Sequence, residues 1–180
     1  LITIVTNYTI GGYSKYVYLF MPRLDFKKLI LQPELLALFR GRSPAHDDLR
    51  VELTSENDSP TMHIPYQKRF SRGAAQPALH GGIVMMAMDS AMGLATILAL
   101  DELSSLATLE LRYDELRCPD DQSGITIDAC CESIDNGIAY LKAVASDSSG
   151  TFAKAVGRFI LMPGSQSFID SAMLLVQEQE

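Results

Sequence analysis

The sequence predicts an α+β fold in which an antiparallel sheet curves around one long buried helix. Three observations carry this. Residues 81–100 form one continuous apolar segment, 14 of 20 residues being apolar and three glycine. That length and continuity belong to a helix rather than a strand. After Ser104 the pattern changes to period two and keeps it to Met162, with turn sequences between the runs. Two short strand patterns lie before the apolar segment, so strands on both sides of one helix must share a sheet that packs against it.

The elements follow in order. Residues 1–20 carry one formal charge, Lys15, and four tyrosines, Tyr8, Tyr13, Tyr16 and Tyr18. They are too polar for a membrane span and lack the basic start and cleavage pattern of a signal peptide. Two readings stay open: a β-rich arm, or translated sequence ahead of the natural start. Pro33 to Arg40 reads as a short helix, with Pro in the first turn, Glu34 after it and Gly41 past the end. Together, residues 1–44 form an N-terminal arm and short helix, 45–163 the main domain, and 164–180 a tail with a short helix from a Ser cap at Ser167.

Leu49, Val51 and Leu53 alternate with Arg50, Glu52 and Thr54, the pattern of a half-buried strand. Ser55–Pro60 is a turn, Thr61–Tyr66 a second strand, and Ser71–Pro77 a loop. The apolar helix is expected to be buried on nearly all sides. In the strand that follows, Leu109, Leu111 and Tyr113 share one face, and Thr108, Glu110 and Arg112 the other. Residues 124–134, 138–147 and 151–162 complete a meander. Asp135-Asn136-Gly137 and Asp147-Ser148-Ser149-Gly150 are its hairpin turns.

Composition narrows the function. The 180 residues are 47% apolar and 21% charged, which excludes a disordered or collagen-like chain. A net charge of −7 argues against nucleic acid as the main partner. Cys118, Cys130 and Cys131 have no C-x-x-C spacing, and the adjacent pair would point to opposite faces of a strand. With only His46, His63 and His80 besides, no zinc site is expected. No phosphate-binding loop, dinucleotide motif or nucleophile elbow occurs, so no cofactor is expected. The cysteine usage fits a reducing, cytoplasmic setting.

Two features point to chemistry. Asp89 lies in the middle of the apolar helix among Met85, Met86, Met88 and Met92. An ionised carboxylate there needs donors or a water-filled cleft, and carboxylates in apolar clefts are frequent at active sites. His80-Gly81-Gly82 stands immediately before the helix. Its glycines allow a close backbone approach, and the first helical N–H groups lack internal partners. Such groups suit a developing oxyanion. Gly81 and Asp89 are eight residues apart, about 12 Å along a helix. One copy therefore cannot bring both to a single reacting group, whereas two antiparallel copies about a two-fold axis can.

Pro77-Ala78-Leu79-His80-Gly81-Gly82-Ile83-Val84, with Asp89 nine residues after the His and Gly93 beyond, closely resembles the PaaI-like hotdog-fold acyl-CoA thioesterases. Thr108–Tyr113, Leu116-Arg117-Cys118-Pro119 and Gly150–Phe159 resemble strands of the same family. The resemblance covers about residues 45 to 162. It implies a sheet of five or six strands around the helix, a homodimer or dimer of dimers, and hydrolysis of an acyl-CoA or other acyl thioester. It further implies Asp89 as general base or nucleophile, Gly81 as oxyanion donor with Gly82 beside it, His80 orienting the loop, and Thr108 positioning the water. Met85, Met88 and Met92 read first as helix packing, and as candidates to line an apolar acyl pocket, which flexible thioethers suit.

The chain departs from the family in two places. Ala74 and Pro77 stand where members often have Asn or Gln and Gly, six and three residues before the His; Gln76 is then the available amide. Glu115 replaces the usual Tyr and reads as surface variation. His63 reads as packed or exposed without function, and His46, beside Asp47 and Asp48, as a solvated loop residue. Arg117, Lys142, Lys154 and Arg158 are candidate cations for coenzyme A phosphates, though solvated surface is the plainer reading. The alternative to hydrolysis is a non-catalytic hotdog module that binds acyl thioesters. A hotdog dehydratase fits less well, because His80 is committed to the loop.

Overall fold

The computed structural model describes residues 2–10, 13–21, 44–56, 59–73, 76–100, 104–119, 122 and 124–162. The helix expected over 33–40 and the helical tail after 167 lie outside them. Residues Ile2–Ile10 (β1) and Tyr13–Met21 (β2) form an antiparallel hairpin of their own.

From Pro44 onward the elements run α1 (Pro44–Leu49), β3 (Glu52–Glu56), β4 (Ser59–Ile64), a 3-10 turn at Lys68–Phe70, β5 (Ser71–Gly73), β6 (Gln76–Leu79), α2 (Gly81–Ala99), β7 (Ser105–Glu115), β8 (Ile125–Asp135), β9 (Ile138–Asp147) and β10 (Gly150–Met162). Six strands make one antiparallel sheet in the order β3-β4-β8-β9-β10-β7. The helix α2 packs on its face, closest to β8 and β9. This is the expected α+β plan of a sheet wrapped around one helix, with six strands.

Both hairpin turns form where the sequence places them. Asn136 and Gly137 take positive φ angles of 48° and 77°, so Asp135 pairs with Ile138 across a two-residue turn. Gly150 (φ 101°) closes the next one, and Asp147 Oδ1 accepts the Ser149 N–H.

The first strand differs from expectation. Leu49 ends α1, Val51 precedes β3, and the strand starts only at Glu52. Both apolar residues are buried, but through a helix ending rather than strand alternation. Arg50 sits in the left-handed region (φ 54°), its N–H reaching Asp47 O while the Val51 N–H reaches His46 O. That double bond pattern terminates a helix and turns two flanking apolar residues inward, which mimics a period of two. The segment expected to be a loop, Ser71–Pro77, contributes instead to the small β5–β6 hairpin, with Ser71 opposite Leu79 and Gly73 opposite Gln76.

Small residues set the distance between helix and sheet. Ala139, Ala143, Ala145, Ala153 and Ala155 are buried on the sheet face. Beneath Met92 stands Gly157, where an added Cβ would lie 2.8 Å from Met92 Sδ and 3.2 Å from Phe159 Cε2. Met92 and Phe159 are themselves fully buried, so neither can swing into solvent. Gly157→Ala is expected to destabilise the fold by about 1–3 kcal/mol through overpacking, read as a lower urea midpoint with unchanged slope.

Candidate active site

The helix α2 is not buried all round. From Ala91 to Leu98 every residue is buried, but the preceding turns bury only Val84, Ala87 and Met88. Gly82 and Met85 are exposed and Asp89 is half-buried. The C-terminal half of the helix is thus buried as far as Leu98, and one side of the N-terminal half is open. Asp89 stands on the boundary, so its carboxylate reaches solvent from a largely apolar helix.

Thr108 Oγ1 donates to Asp89 Oδ1 at 2.8 Å. Simple alternation would have put Thr108 on the outer face with Glu110 and Arg112. A bulge corrects this. The β7–β10 pairing passes from Glu110↔Arg158 directly to Thr108↔Phe159, leaving Leu109 without a partner. The extra residue changes the phase of the strand. Thr108 then shares the helix-facing side with its own partner, the buried Phe159, and Leu109 is turned out to 53% exposure. Asp89 Oδ2 has no partner among the described residues.

At the other end of the open side, His80 caps α2. It is extended (φ −65°, ψ 136°), and its Nδ1 accepts the Gly82 N–H at 3.1 Å. A neutral ring that accepts at Nδ1 carries its proton on Nε2. His80 O accepts from Ile83 N–H, and His80 N–H donates to Phe70 O, which fixes the turn to the segment before β5. Gly82 therefore has its N–H committed and does not stand free beside Gly81 as expected. The Gly81 N–H has no partner among the described residues.

A cluster that the sequence did not single out surrounds Gly81. Glu115 Oε2 accepts from Arg72 Nη2 and from Tyr113 OH, the latter at 3.0 Å. Arg72 Nε donates to Leu79 O at 3.2 Å. A Cβ added at Gly81 would lie 3.3 Å from Glu115 Oε2 and 3.5 Å from Arg72 Nη2. Glu115 is thus no surface variation but part of the wall beside the turn. The Arg72 hydrogen bond holds its carboxyl below the ordinary value, and burial, with Glu115 next, pushes the Tyr113 phenol up. The available signal was the spacing of Tyr113 and Glu115, which places both on one face of β7.

His46 is likewise misjudged by sequence. It is buried on α1, with Nε2 2.8 Å from Ser90 Oγ, and so ties α1 to the helix residue next to Asp89. His63 lies on β4 opposite Thr126 of β8, its Nδ1 3.4 Å from Thr126 Oγ1. Of the three methionines, Met85 is on the open side of α2, while Met88 and Met92 are fully buried in the core. Gln76 begins β6.

A cavity of about 370 Å³ opens at the N-terminal end of α2, lined by Arg69, Phe70, Ser71, His80, Gly82 and Ile83. Among the candidate phosphate-binding cations, Arg117 is held by Asp147, Lys142 pairs with Glu132, and Arg158 with Glu110. Lys154 has no ion pair among the described residues.

No family model matches the sequence, and no curated protein matches it. The fold does match solved structures. A thioesterase from Haemophilus influenzae superimposes with a TM-score of 0.65 at 17% identity, over 73% of this chain and 90% of that one. A phenylacetic acid degradation-related protein from Ralstonia eutropha gives 0.57 at 18%, over 69% and 97%. A Bacillus halodurans protein crystallised with CoA gives 0.60 at 17%, over 71% and 87%. At such identities the likeness is one of fold. The chain has a hotdog fold, an antiparallel sheet of six strands around one long helix, as its resemblance to PaaI-like proteins implied.

The Glu115 carboxylate gives a stability prediction. Because its folded value lies below the ordinary 4.5, its contribution is complete above that value and is lost as pH falls through the lower folded value. Glu115→Gln should cost about 1 kcal/mol at neutral pH. The difference in urea midpoint from wild type should shrink as the pH is lowered below 4.5 and through the lower folded value.

Proposed function

We propose that this protein hydrolyses acyl thioesters, of the acyl-CoA class, at two equivalent sites in a homodimer. The observation that carries this reading is the Asp89 carboxylate. Thr108 orients it on the open side of α2, and the same helix begins with a Gly81 N–H that has no partner among the described residues.

The strand β7 is one edge of the six-stranded sheet, β3 being the other, and its two ends carry the two halves of the site. Thr108 near one end holds Asp89, while Tyr113 and Glu115 at the other adjoin Gly81. A free edge bearing an exposed Leu109 is a surface that another strand can cover. Antiparallel pairing of β7 with its own copy sets the Thr108 end of one protomer against the Glu115 end of the other. Each Asp89 then lies beside the other protomer's Gly81, which removes the 12 Å separation within one helix, about 1.5 Å per residue.

In this arrangement a water donates its proton to Asp89 Oδ2 as its oxygen attacks the thioester carbonyl carbon. The Gly81 N–H, at the positive end of α2, receives the developing oxyanion. Collapse of the tetrahedral intermediate breaks the C–S bond, and the proton passes from Asp89 to the departing thiolate. The products are a carboxylic acid and a thiol. The cavity at His80 and Gly82 is open to a slender thiol arm, and Met85 offers an apolar contact to the acyl group. The CoA held by the Bacillus halodurans protein supports this substrate class.

Thiol release from short, medium, long and aromatic acyl-CoAs tests the reading. Asp89→Asn should lower kcat/KM by about 10²–10⁴, and Thr108→Val by about tenfold, with sedimentation showing dimers throughout. If the wild type binds acyl-CoA without hydrolysing any of the panel, the protein is a binding module. Activity undiminished in Asp89→Asn removes the carboxylate from the mechanism.

A further inference from the structure

Among the described residues the Gly81 turn has no direct side-chain hydrogen bond other than the His80 cap, yet it must be placed accurately. On the hydrolysis reading the reacting carbonyl lies between the Gly81 N–H of one protomer and the Asp89 of the other, across the β7 edge. The position of Gly81 relative to β7 therefore fixes the distance between donor and base. One side chain spans that interval. Arg72, on the three-residue strand β5, donates through Nε to Leu79 O, two residues before Gly81, and through Nη2 to Glu115 on β7. Tyr113 OH donates to the same Glu115 oxygen. Gly81 rests against this group, with space for no larger residue without displacing it.

We propose that Arg72 is a positioning residue of the thioester site, its planar guanidinium clamping the Gly81 turn to the Glu115 end of β7. This rests on the reading of the site as a thioesterase. The side chains of Arg72 and Glu115 are 23% and 26% exposed, so the pair is sheltered yet borders the site. Its charged and titratable neighbours are Tyr113, Cys118 and His80. The clamp needs two donors at fixed separation, which guanidinium supplies and a lysine ammonium does not.

The test combines kinetics with amide exchange on the intact protein. Arg72→Gln should lower kcat by about 10–100-fold and change KM by less than about threefold. Arg72→Lys, which keeps the charge, should recover little of this, and Glu115→Gln should reduce kcat in the same sense. In both Arg72 variants the Gly82 and Ile83 amides should exchange at least about tenfold faster, with core amides of α2 unchanged. The proposal is overturned if Arg72→Lys is fully active, if Arg72→Gln stays within twofold of wild type, or if exchange at the turn does not change. Should Arg72→Gln fail to fold, Arg72→Lys and Glu115→Gln decide by the same criteria. A wild type inactive on every thioester would defeat the hydrolysis reading instead, and exchange at Gly82 and Ile83 would still show whether Arg72 holds the turn.

Discussion

The arrangement depends on how far the sheet covers α2. A helix with 14 apolar residues in a 20-residue segment would bury every face if the sheet could close around it. Here burial is complete only from Ala91 to Leu98. The first two turns project past the covered part, and there a carboxylate keeps contact with water while standing among methionines. Full enclosure would impose a desolvation cost of several kcal/mol on an ionised Asp89. Half-enclosure, with one hydroxyl donor, removes most of that cost and leaves one carboxylate oxygen open. The same geometry leaves the N-terminal backbone of the helix uncovered, so base and positive helix end face a common space only when a second helix runs antiparallel to the first.

The edge strand links these requirements. A regular β7 would aim Tyr113, Leu111 and Leu109 at the helix and turn Thr108 away. The bulge at Leu109 lets Tyr113 and Thr108 face the same side although five residues separate them, an odd interval. One irregularity thus serves both halves of the site: Thr108 meets Asp89, and Tyr113 with Glu115 meets the Gly81 turn. It also presents Leu109 outward at the free edge. Both halves of the candidate site and the exposed strand edge are consequently parts of one element, so association along β7 would complete the proposed chemistry as well as cover the edge.

The meander, the long helix and the His80-Gly81-Gly82 cap were legible in sequence because each follows from a local pattern. Hairpin turns need positive φ and the chain supplies Asn136-Gly137; a buried helix needs an unbroken apolar run and residues 81–99 supply it. What escaped was decided by contacts between distant segments. His46 looks solvated beside two aspartates, but Leu49 on the same side of α1 carries it inward to Ser90. Glu115 looks like an exposed acid until Arg72, 43 residues earlier, arrives beside it. The bulge at Leu109 has no glycine to mark it, since it arises from packing Phe159 and Thr108 against the helix rather than from backbone preference. Alternation fails by one residue there, and a one-residue slip reverses every face before it.

The capping histidine explains why the turn needs outside support. By accepting the Gly82 N–H, His80 removes one of the two adjacent donors that the two glycines would otherwise present. What remains at Gly81 is one N–H backed by the helix dipole, a weaker oxyanion site than a pair of converging donors. Its strength then depends on direction and on the local field. The Arg72–Glu115 pair is nearly neutral overall, so it adds little net potential; its contribution is rigidity, with the positive member nearer to the strand that leads into the turn. A neutral clamp holds the donor in place without itself binding an anion tightly, which would suit the release of a carboxylate under the proposed hydrolysis.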